Sequence, residues 1–328
     1  MSARSVVHVL GPSTGGIRRH VRYLAHNPPP GFTTLRVCGP GSLEQYFDGL
    51  PFAPLTADGI ADADVVHAHG VTAGRVALRR RRPPVVLTLH VYDVAGGRPA
   101  PARAALRMLA PAIVRRADAV IAVSVEIAAR VPGAVVIPPA AEPRGAPRRD
   151  RREVRAELGA ADDEVVVMSI ARLHRDKSLH VLIEAARLAG LTCWVAGDGP
   201  LRAELERLAQ GTRVRLLGYR DDVSDLLGAA DLFALTSLGE GYPVVVVEAL
   251  QAGLPVVATD VGAVREMVGD AGEIVDPGDA TALASSLSRI AGNDEVRAGL
   301  MRRAGARSLP QPEELVRRVG EVYQRVMS

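Results

Sequence analysis

Lysine is almost absent from this sequence. Of the 40 basic residues in the 328-residue chain, 39 are arginine and one is lysine, Lys177. This is typical of a coding bias against lysine, so the surviving lysine is a candidate for a function, with chance survival as the alternative. The composition, with 48% hydrophobic and 23% charged residues, is typical of a globular protein and excludes a disordered chain.

Cysteine and long apolar runs are also scarce. Cys38 and Cys193 are the only cysteines, which excludes a disulfide framework and a cysteine-based zinc site. The strongly apolar runs stay well below the roughly 18 residues of a membrane-spanning helix, and the apolar start Val6–Leu10 is too short for a signal peptide. We therefore expect a reduced, cytoplasmic protein without a transmembrane segment.

The net charge is only +3 and gives no reason to expect a nucleic-acid partner. Its distribution is uneven, because residues 1–150 hold 19 arginines against ten acidic residues, whereas residues 151–328 hold 27 acidic residues against 21 basic ones. Arginines cluster at 79–82 and 148–152. An anionic acceptor or peripheral contact with an anionic membrane surface would suit the first half, and solvated loops and helix ends are the alternative.

Short apolar runs alternate with helix-like segments along the whole chain. Six such runs lie in each half, and most are continuous, as in Val85–Leu89 and Val165–Ile170, which predicts strands buried on both faces. Strand and helix in alternation indicate an α/β fold with parallel sheets. We therefore predict two doubly wound Rossmann-like domains, with a ligand site at the carboxyl ends of the strands, in the cleft between them.

The proline- and arginine-rich stretch before residue 153 predicts the domain boundary. We expect an N-terminal domain over residues 1–143, a linker over 144–152 and a C-terminal domain over 153–308. The remaining residues, 309–328, carry apolar side chains at helical spacing and predict a terminal amphipathic helix that packs back toward the N-terminal domain.

A glycine-rich turn follows the first predicted strand. Gly15 and Gly16 end the segment that begins at Gly11, just before a predicted helix. Glycines allow close approach of the backbone to a ligand, and the free N–H groups of a helix start favour a phosphate. The spacing does not match the nicotinamide-cofactor fingerprint. A tight turn without a ligand is the alternative.

Two further segments carry charged side chains where strands end. Arg172 closes the first strand of the second domain and Lys177 follows five residues later, so the two cations could hold a diphosphate; a solvated turn is the alternative. Glu240 lies in a loop, and Glu248 lies eight residues on in an apolar helix, where a buried carboxylate needs partners such as ribose hydroxyls. A glutamate at the helix edge or paired with arginine is the alternative.

Histidines mark two strand ends in the first domain. His67 and His69 end one strand, and His90 follows another. These side chains could face a ligand, with burial in the core as the alternative. Asp62 and Asp64 match an Asp-x-Asp metal motif but precede a strand instead of following one, so we assign no metal ligand.

These motifs together resemble a retaining GT-B glycosyltransferase of family four, also called group 1. The segment Glu240–Asp260 resembles the Glu-x-seven-Glu segment of that family closely, and Ala171–Ala185 resembles its Arg-Leu…Lys…Leu-Ile-Glu-Ala segment. Gly197–Pro200 and Asp118–Ser124 also fit. The similarity covers most of the chain.

The resemblance implies a role for each matching residue. Arg172 and Lys177 would bind the donor diphosphate, Glu248 the ribose, and Glu240 the donor sugar and the positive charge that develops on its ring. The remaining positions implied for the donor, the reacting centre and, more weakly, the acceptor are Gly15, Gly16, His90, Tyr219, Arg220, Gly241, Tyr242, Pro243, Val244 and His69. Pro243 departs from the usual glycine of the family and removes one N–H contact.

The expected activity is transfer of a hexose-type sugar from a nucleotide donor, most simply a UDP-sugar, with retention of configuration. The nucleotide sugar is a co-substrate, and the resemblance implies neither a resident cofactor nor a metal ion. The acceptor cannot be inferred from the sequence and could be anionic or neutral, and the oligomeric state is equally open. The alternatives are a sugar-nucleotide epimerase of the same fold and a non-catalytic sugar-nucleotide-binding protein.

Overall fold

The computed structural model describes residues 3–13, 15–79, 82–91, 100–141 and 145–328. The chain divides into two compact units. The first unit comprises Met1–Glu142 and Pro310–Ser328, and the second comprises Pro143–Leu309. Thr14 of the glycine-rich turn, Arg80 and Arg81 of the first arginine cluster and Arg144 of the expected linker lie outside the described residues.

A seven-stranded parallel sheet forms the centre of the first unit, with the strand order β3-β2-β1-β4-β5-β6-β7. Its strands are β1 Arg4–Leu10, β2 Phe32–Gly39, β3 Phe52–Pro54, β4 Val65–His69, β5 Val85–Leu89, β6 Ala119–Ala122 and β7 Val135–Val136. Every residue of β4 and β5 is buried, as expected for strands covered on both faces. The six strands that the apolar runs predict are all present, and the sheet has a seventh, β3, a three-residue edge strand without an apolar run.

Helices pack against this sheet. They are α1 Gly16–His26, α2 Val71–Ala77, α3 Ala100–Arg116, α4 Val125–Ala129 and, at the end of the chain, α13 Pro312–Met327. The C-terminal helix α13 buries an apolar face in the same core cluster as Val65 and Val86 of the sheet, through Leu315, Val319, Val322 and Tyr323. The C-terminal helix therefore contributes to the hydrophobic core of the first unit along most of its length.

The second unit contains a six-stranded parallel sheet with the order β10-β9-β8-β11-β12-β13. Its strands are β8 Val166–Ile170, β9 Thr192–Ala196, β10 Val214–Gly218, β11 Leu232–Leu235, β12 Val256–Thr259 and β13 Gly272–Val275. Its helices are α5 Arg151–Glu157, α6 Leu179–Ala189, α7 Arg202–Ala209, α8 Val223–Ala229, α9 Val244–Gln251, α10 Val264–Val268, α11 Ala280–Ala291 and α12 Asp294–Gly305. The six strands expected in this half are all present.

The boundary between the units differs in detail from the sequence expectation. The second unit begins at Pro143, and α5 begins at Arg151 behind the N-cap Asp150, whose carboxylate accepts a hydrogen bond from the Arg152 amide at 2.7 Å. An Asp N-cap satisfies one of the free amides of a helix start. The last two residues of the expected linker are therefore helical. Within the described ranges, every helix is too short or too polar to cross a membrane.

Candidate functional site

The lone lysine pairs with the glutamate that begins the second charged motif. Lys177 lies in a 3₁₀ turn after β8, Glu240 lies in the loop between β11 and α9, and Lys177 Nζ is 2.5 Å from Glu240 Oε1. Ser237 Oγ donates to the same carboxylate oxygen at 2.7 Å. Because β8 and β11 are neighbours in the parallel sheet, their carboxyl ends meet. The structure thus brings together two motifs that lie 63 residues apart in sequence.

Asp176 lies between the two predicted phosphate-binding cations. Arg172 donates to Asp176 at 3.3 Å, Lys177 Nζ lies 3.9 Å from the same carboxylate, and His174 Nδ1 makes a short contact with it. Burial opposes ionisation, but the hydrogen bond with His174 and the charges of Lys177 and Arg172 outweigh it and hold the pKa of Asp176 below its usual value. Sequence reasoning missed this residue, because a single aspartate in a basic turn has no distinctive spacing.

Backbone contacts fix the two loops relative to each other. The amide of Leu238 donates to the carbonyl of Asp176 at 2.8 Å, and Thr236 Oγ1 donates to the carbonyl of Lys177 at 2.8 Å. Thr236 and Ser237 are buried at the end of β11. The ion pair between Lys177 and Glu240 is therefore held by hydrogen bonds on both sides.

Two glycines that sequence reasoning left without a role allow these loops to pack closely. A Cβ on Gly262, whose φ is +55°, would lie 2.2 Å from the carbonyl oxygen of Glu240. A Cβ on Gly199 would lie 2.5 Å from the carbonyl oxygen of Leu173. Both distances are shorter than any side chain permits, so glycine at these positions is a packing requirement of the site.

The segment after Glu240 leads into a largely buried helix. Gly241 and Pro243 are buried, and α9 begins at Val244 with Pro243 as its N-cap. Glu248 is only 3% exposed in the second turn of α9. Burial, with a further contribution from the charge of Glu266, raises the pKa of Tyr242. A carboxylate at the position of Glu248 can accept hydrogen bonds where water is largely excluded.

The residues expected to meet the nucleotide base follow β10. Tyr219 is 82% exposed, so its ring is free to stack with a ligand. Arg220 pairs with Asp222 at 2.5 Å and with Glu157 at 3.3 Å. The hydrogen bond with Asp222 raises the pKa of Arg220 and lowers that of Asp222. The guanidinium is therefore held in one orientation.

The glycine turn of the first unit ends at the start of α1. Gly15 is the N-cap of α1 with φ of 59° and ψ of −129°, a conformation that favours glycine, and both Gly15 and Gly16 are exposed. The first amides of α1 are thus accessible at the turn that the sequence singled out.

The predicted histidines belong to a larger buried cluster in the first unit. His69 Nδ1 and His90 Nε2 are 3.3 Å apart, and His69 Nε2 lies 3.2 Å from His8 Nδ1. The His20 ring packs edge-on against the rings of His69 and His90, and the His67 ring lies tilted beside that of His69. We call these five residues the histidine cluster. Sequence reasoning missed His8 and His20, although an isolated histidine inside an apolar strand, as in Val6–Leu10, is a usable signal.

Burial keeps the histidine cluster uncharged. It lowers the pKa of His8 to about 3, with a smaller contribution from the charge of His20, and that of His20 to about 4. For His67, His69 and His90 burial is again the largest cause and lowers each pKa well below its usual value, with smaller contributions from neighbouring histidines. The cluster is therefore a set of neutral imidazoles near pH 7.

Two charged segments from the sequence have ordinary structural partners. Asp62 pairs with Arg36 at 2.5 Å, and Asp64 accepts hydrogen bonds from the amide and hydroxyl of Ser5, so the Asp-x-Asp match is explained by local contacts. In the second arginine cluster, Arg149 pairs with Glu157 at 2.6 Å and Arg151 pairs with Asp231 at 2.5 Å. Much of that positive charge is thus neutralised within the second unit.

Two doubly wound parallel α/β units are the architecture of the GT-B glycosyltransferases. Two family models match the chain: Glycosyltransferase Family 4 over residues 6–141 and Glycosyl transferases group 1 over residues 164–293. Together they span most of the sequence. The chain belongs to the group 1, family-four glycosyltransferases.

Known relatives agree with this assignment. The lipopolysaccharide core biosynthesis glycosyltransferase LpsE of Rhizobium meliloti (strain 1021) is 37% identical over 156 residues, which are 45% of this chain and 46% of LpsE. The N-acetyl-alpha-D-glucosaminyl L-malate synthase of Bacillus anthracis is 27% identical over 192 residues, 55% of this chain and 50% of that protein. The matches thus span about half the length of these curated relatives.

A solved structure shows the same fold over nearly the whole chain. Anabaena HepE, crystallised in complex with UDP-glucose, superimposes with a TM-score of 0.81 at 23% sequence identity and covers 98% of this chain and 100% of its own. At that identity the likeness establishes the GT-B fold.

Proposed function

We propose that this chain transfers a hexose-type sugar from a nucleoside diphosphate donor, a UDP-sugar, to an acceptor with retention of configuration. The observation that carries the proposal is the 2.5 Å ion pair between Lys177 and Glu240 at the carboxyl ends of β8 and β11. Ligands of open α/β sheets bind at such strand ends. The UDP-glucose complex of HepE, which has the same fold, supports the choice of donor.

In this proposal, Arg172 and Lys177 bind the diphosphate and stabilise the charge that it gains as the bond to the sugar breaks. The two cations supply this stabilisation without a divalent metal ion. Lys177 then exchanges its partner Glu240 for phosphate oxygens, which leaves the Glu240 carboxylate to interact with the sugar. Glu240 hydrogen-bonds a sugar hydroxyl and stabilises the positive charge developing on the ring, and the leaving phosphate acts as the base that takes the acceptor proton.

Glu248 holds the ribose hydroxyls in the same proposal, because its buried carboxylate is a strong acceptor. Tyr219 and Arg220 contact the base, and the exposed amides at Gly15 and Gly16 contact the distal phosphate. His90 contributes a neutral imidazole to the reacting centre. The relative from Bacillus anthracis is named for L-malate, which is an anion near pH 7. Together with the excess of arginine in the first half of this chain, that name supports an anionic acceptor. A cytoplasmic location is part of the proposal.

Calorimetric titration with UDP, GDP, ADP and dTDP tests the donor site. We expect UDP to bind the wild-type chain, and Lys177→Ala and Glu248→Ala to weaken that binding without unfolding the protein. Glu240→Gln should preserve UDP affinity and slow transfer by about 10²–10³-fold, the usual cost of removing one group that stabilises transition-state charge. Transfer is measured with a panel of donors and acceptors and mass-spectrometric detection.

The exposed ion pair between Glu184 and Arg187 on α6 is the matched control. Glu184→Gln and Arg187→Ala should change neither UDP binding nor transfer, because their side chains are about half exposed on the helix surface. Wild-type affinity in both Lys177→Ala and Glu248→Ala would overturn the donor-site assignment. Donor turnover without any acceptor would indicate an epimerase, and UDP binding without turnover a binding protein.

A further inference from the structure

Five buried imidazoles from four elements meet inside the first unit. His8 lies in β1, His20 in α1, His67 and His69 in β4, and His90 directly after β5. Their exposed fractions range from 0 to 8%. The sheet register places His8 beside His67 and Leu10 beside His69, so adjacent strands direct these side chains to one region. Nothing in the proposed transfer uses the cluster as a whole.

His69 lies at the centre of the histidine cluster. Its ring centroid is 4.1 Å from that of His67, 5.5 Å from those of His8 and His90, and 5.8 Å from that of His20. Two sets of three have one ring nitrogen each within 4.8 Å of the others: His8 with His67 and His69, and His20 with His69 and His90. Both sets have the composition of a three-histidine metal site.

Hydrogen bonding distinguishes the two sets. Both nitrogens of His67 are engaged, Nδ1 with the Tyr323 hydroxyl at 2.7 Å and Nε2 with the Thr88 hydroxyl at 2.6 Å. The first set therefore has no ring nitrogen of His67 available for a cation. In the second set, Nδ1 of His20 is buried and has no hydrogen-bond partner among the described residues. A buried polar atom without a partner costs free energy and calls for an explanation.

We propose that His20, His69 and His90 bind a divalent transition-metal cation of the Zn²⁺ type. Tetrahedral zinc, bonded to imidazole nitrogens at about 2.0–2.1 Å, holds neighbouring ligand nitrogens about 3.3–3.4 Å apart. Nδ1 of His69 and Nε2 of His90 are 3.3 Å apart. A direct hydrogen bond between these two rings would explain that distance as well, but it would not account for His20, which brings a ring nitrogen within 4.8 Å of the other two and has a buried Nδ1 without a partner among the described residues.

The surroundings suit such a cation. Metal-binding histidines must be neutral, and burial keeps these three so near pH 7. The other nitrogen of His69 lies 3.2 Å from His8 Nδ1, so His8 can accept its hydrogen bond and orient the ligating ring, as outer partners of metal-binding histidines do. Three imidazole nitrogens favour Zn²⁺, Co²⁺, Ni²⁺ or Cu²⁺ over Mg²⁺ or Ca²⁺. A fourth position would be filled by water or by an acceptor oxygen.

Occupancy would affect catalysis through His90. A cation bound to Nε2 of His90 fixes that ring, so Zn²⁺ should inhibit sugar transfer and a chelator should restore it. The expected inhibition rests on the proposed function, whereas the binding of the cation itself does not.

Titration of the untagged, EDTA-treated full-length chain tests the site. We expect one Co²⁺ per chain with visible d–d bands of a tetrahedral site, displaced by one Zn²⁺ in competition with a chromophoric chelator. His20→Ala and His69→Gln should each weaken Zn²⁺ binding by at least about 100-fold. His26→Ala is the matched control, because His26 lies on the same helix as His20 but is exposed, and it should bind Zn²⁺ like the wild type.

The proposal is overturned by no stoichiometric binding to the wild-type chain or by wild-type affinity in folded His20→Ala. Either result means that the cluster is a hydrogen-bonded imidazole chain only. If the variants do not fold, the Co²⁺ spectrum of the wild type decides. A sulfur-to-cobalt charge-transfer band would assign the cation to a cysteine and contradict the site. Zn²⁺ binding without inhibition would support the site and count against the role of His90 in transfer.

Discussion

The two units share one topology but hold their interior polar groups in different ways. The first unit buries five neutral imidazoles, each at most 8% exposed. The second unit holds buried and partly buried charged groups in pairs, such as Lys177 with Glu240 and Arg155 with Asp231. A neutral ring can be buried at modest cost, whereas a buried charge needs a partner. We therefore expect the stability of the first unit to depend on pH and that of the second to depend on intact ion pairs.

Acidification should have the largest effect and should act mainly on the first unit, because it favours protonation of the five buried histidines. The five histidines have lowered pKa values when folded and ordinary values near 6.5 when unfolded, so the unfolded state binds more protons as the pH falls. The part of the unfolding free energy that depends on neutral histidines is fully present above pH 6.5 and is lost progressively as the pH falls below that value. Each histidine contributes up to about 1.4 kcal/mol per pH unit in that range, so the loss over five histidines reaches several kcal/mol by pH 5.

Two probes separate the units in this experiment. Trp194 is the only tryptophan, buried in β9, so its fluorescence reports the second unit, whereas far-ultraviolet circular dichroism reports both. Between pH 7.5 and 5, the melting transition seen only by circular dichroism should move to lower temperature far more than the Trp194 transition. The second unit has only His174 and His180, neither of them buried. Equal shifts of both transitions would contradict the prediction.

Removal of the buried arginine tests the second half of the comparison. The Arg155 side chain is fully buried in α5 and donates to the carbonyl of Ala229 at 2.8 Å, to that of Ala161 at 2.8 Å and to Asp231 at 3.3 Å. Arg155→Ala removes these buried hydrogen bonds and leaves the Ala229 carbonyl without its side-chain donor, although Asp231 keeps Arg151 as a partner. We therefore expect a loss of about 3 kcal/mol. Urea unfolding followed by Trp194 fluorescence measures it.

Arg152 supplies the control on the same helix. It pairs with Asp162 at 3.3 Å but is 81% exposed, so Arg152→Ala should change the free energy of unfolding by less than about 1 kcal/mol. If the two variants lose the same stability, burial is not what makes Arg155 important.

The smallest expected effect comes from Ser178, and it tests whether the backbone next to Lys177 is strained. It has φ of 44° and ψ of 42° directly after Lys177, a left-handed conformation that costs a non-glycine residue roughly 1–2 kcal/mol. Ser178→Gly should stabilise the second unit by about 1 kcal/mol or less, because glycine also loses more chain entropy. Gly190, with φ of 65° at the other end of α6, is the reverse control. Gly190→Ala should destabilise the second unit. Urea unfolding measures both, and destabilisation by Ser178→Gly would contradict the argument.

Most of the fold was readable because strands buried on both faces leave continuous apolar runs. The edge strand β3 leaves no such run and was missed. At the site, motif spacing and the family resemblance together singled out Lys177 and Glu240, but neither singled out Asp176 or Gly262. Their roles depend on which side chain or backbone approaches them, and that approach has no signature in local sequence.

The sequence alone determined the two α/β units, the loops that carry charged motifs, and the family resemblance, because periodicity and motif spacing are local properties of the chain. Only the tertiary structure decided that Lys177 meets Glu240, since strand order placed β11 beside β8. It also decided that five scattered histidines form one cluster, because β1, β4 and β5 are neighbours in the sheet. Contacts between residues far apart in sequence follow from how strands pair, and that pairing is set by packing of the whole unit.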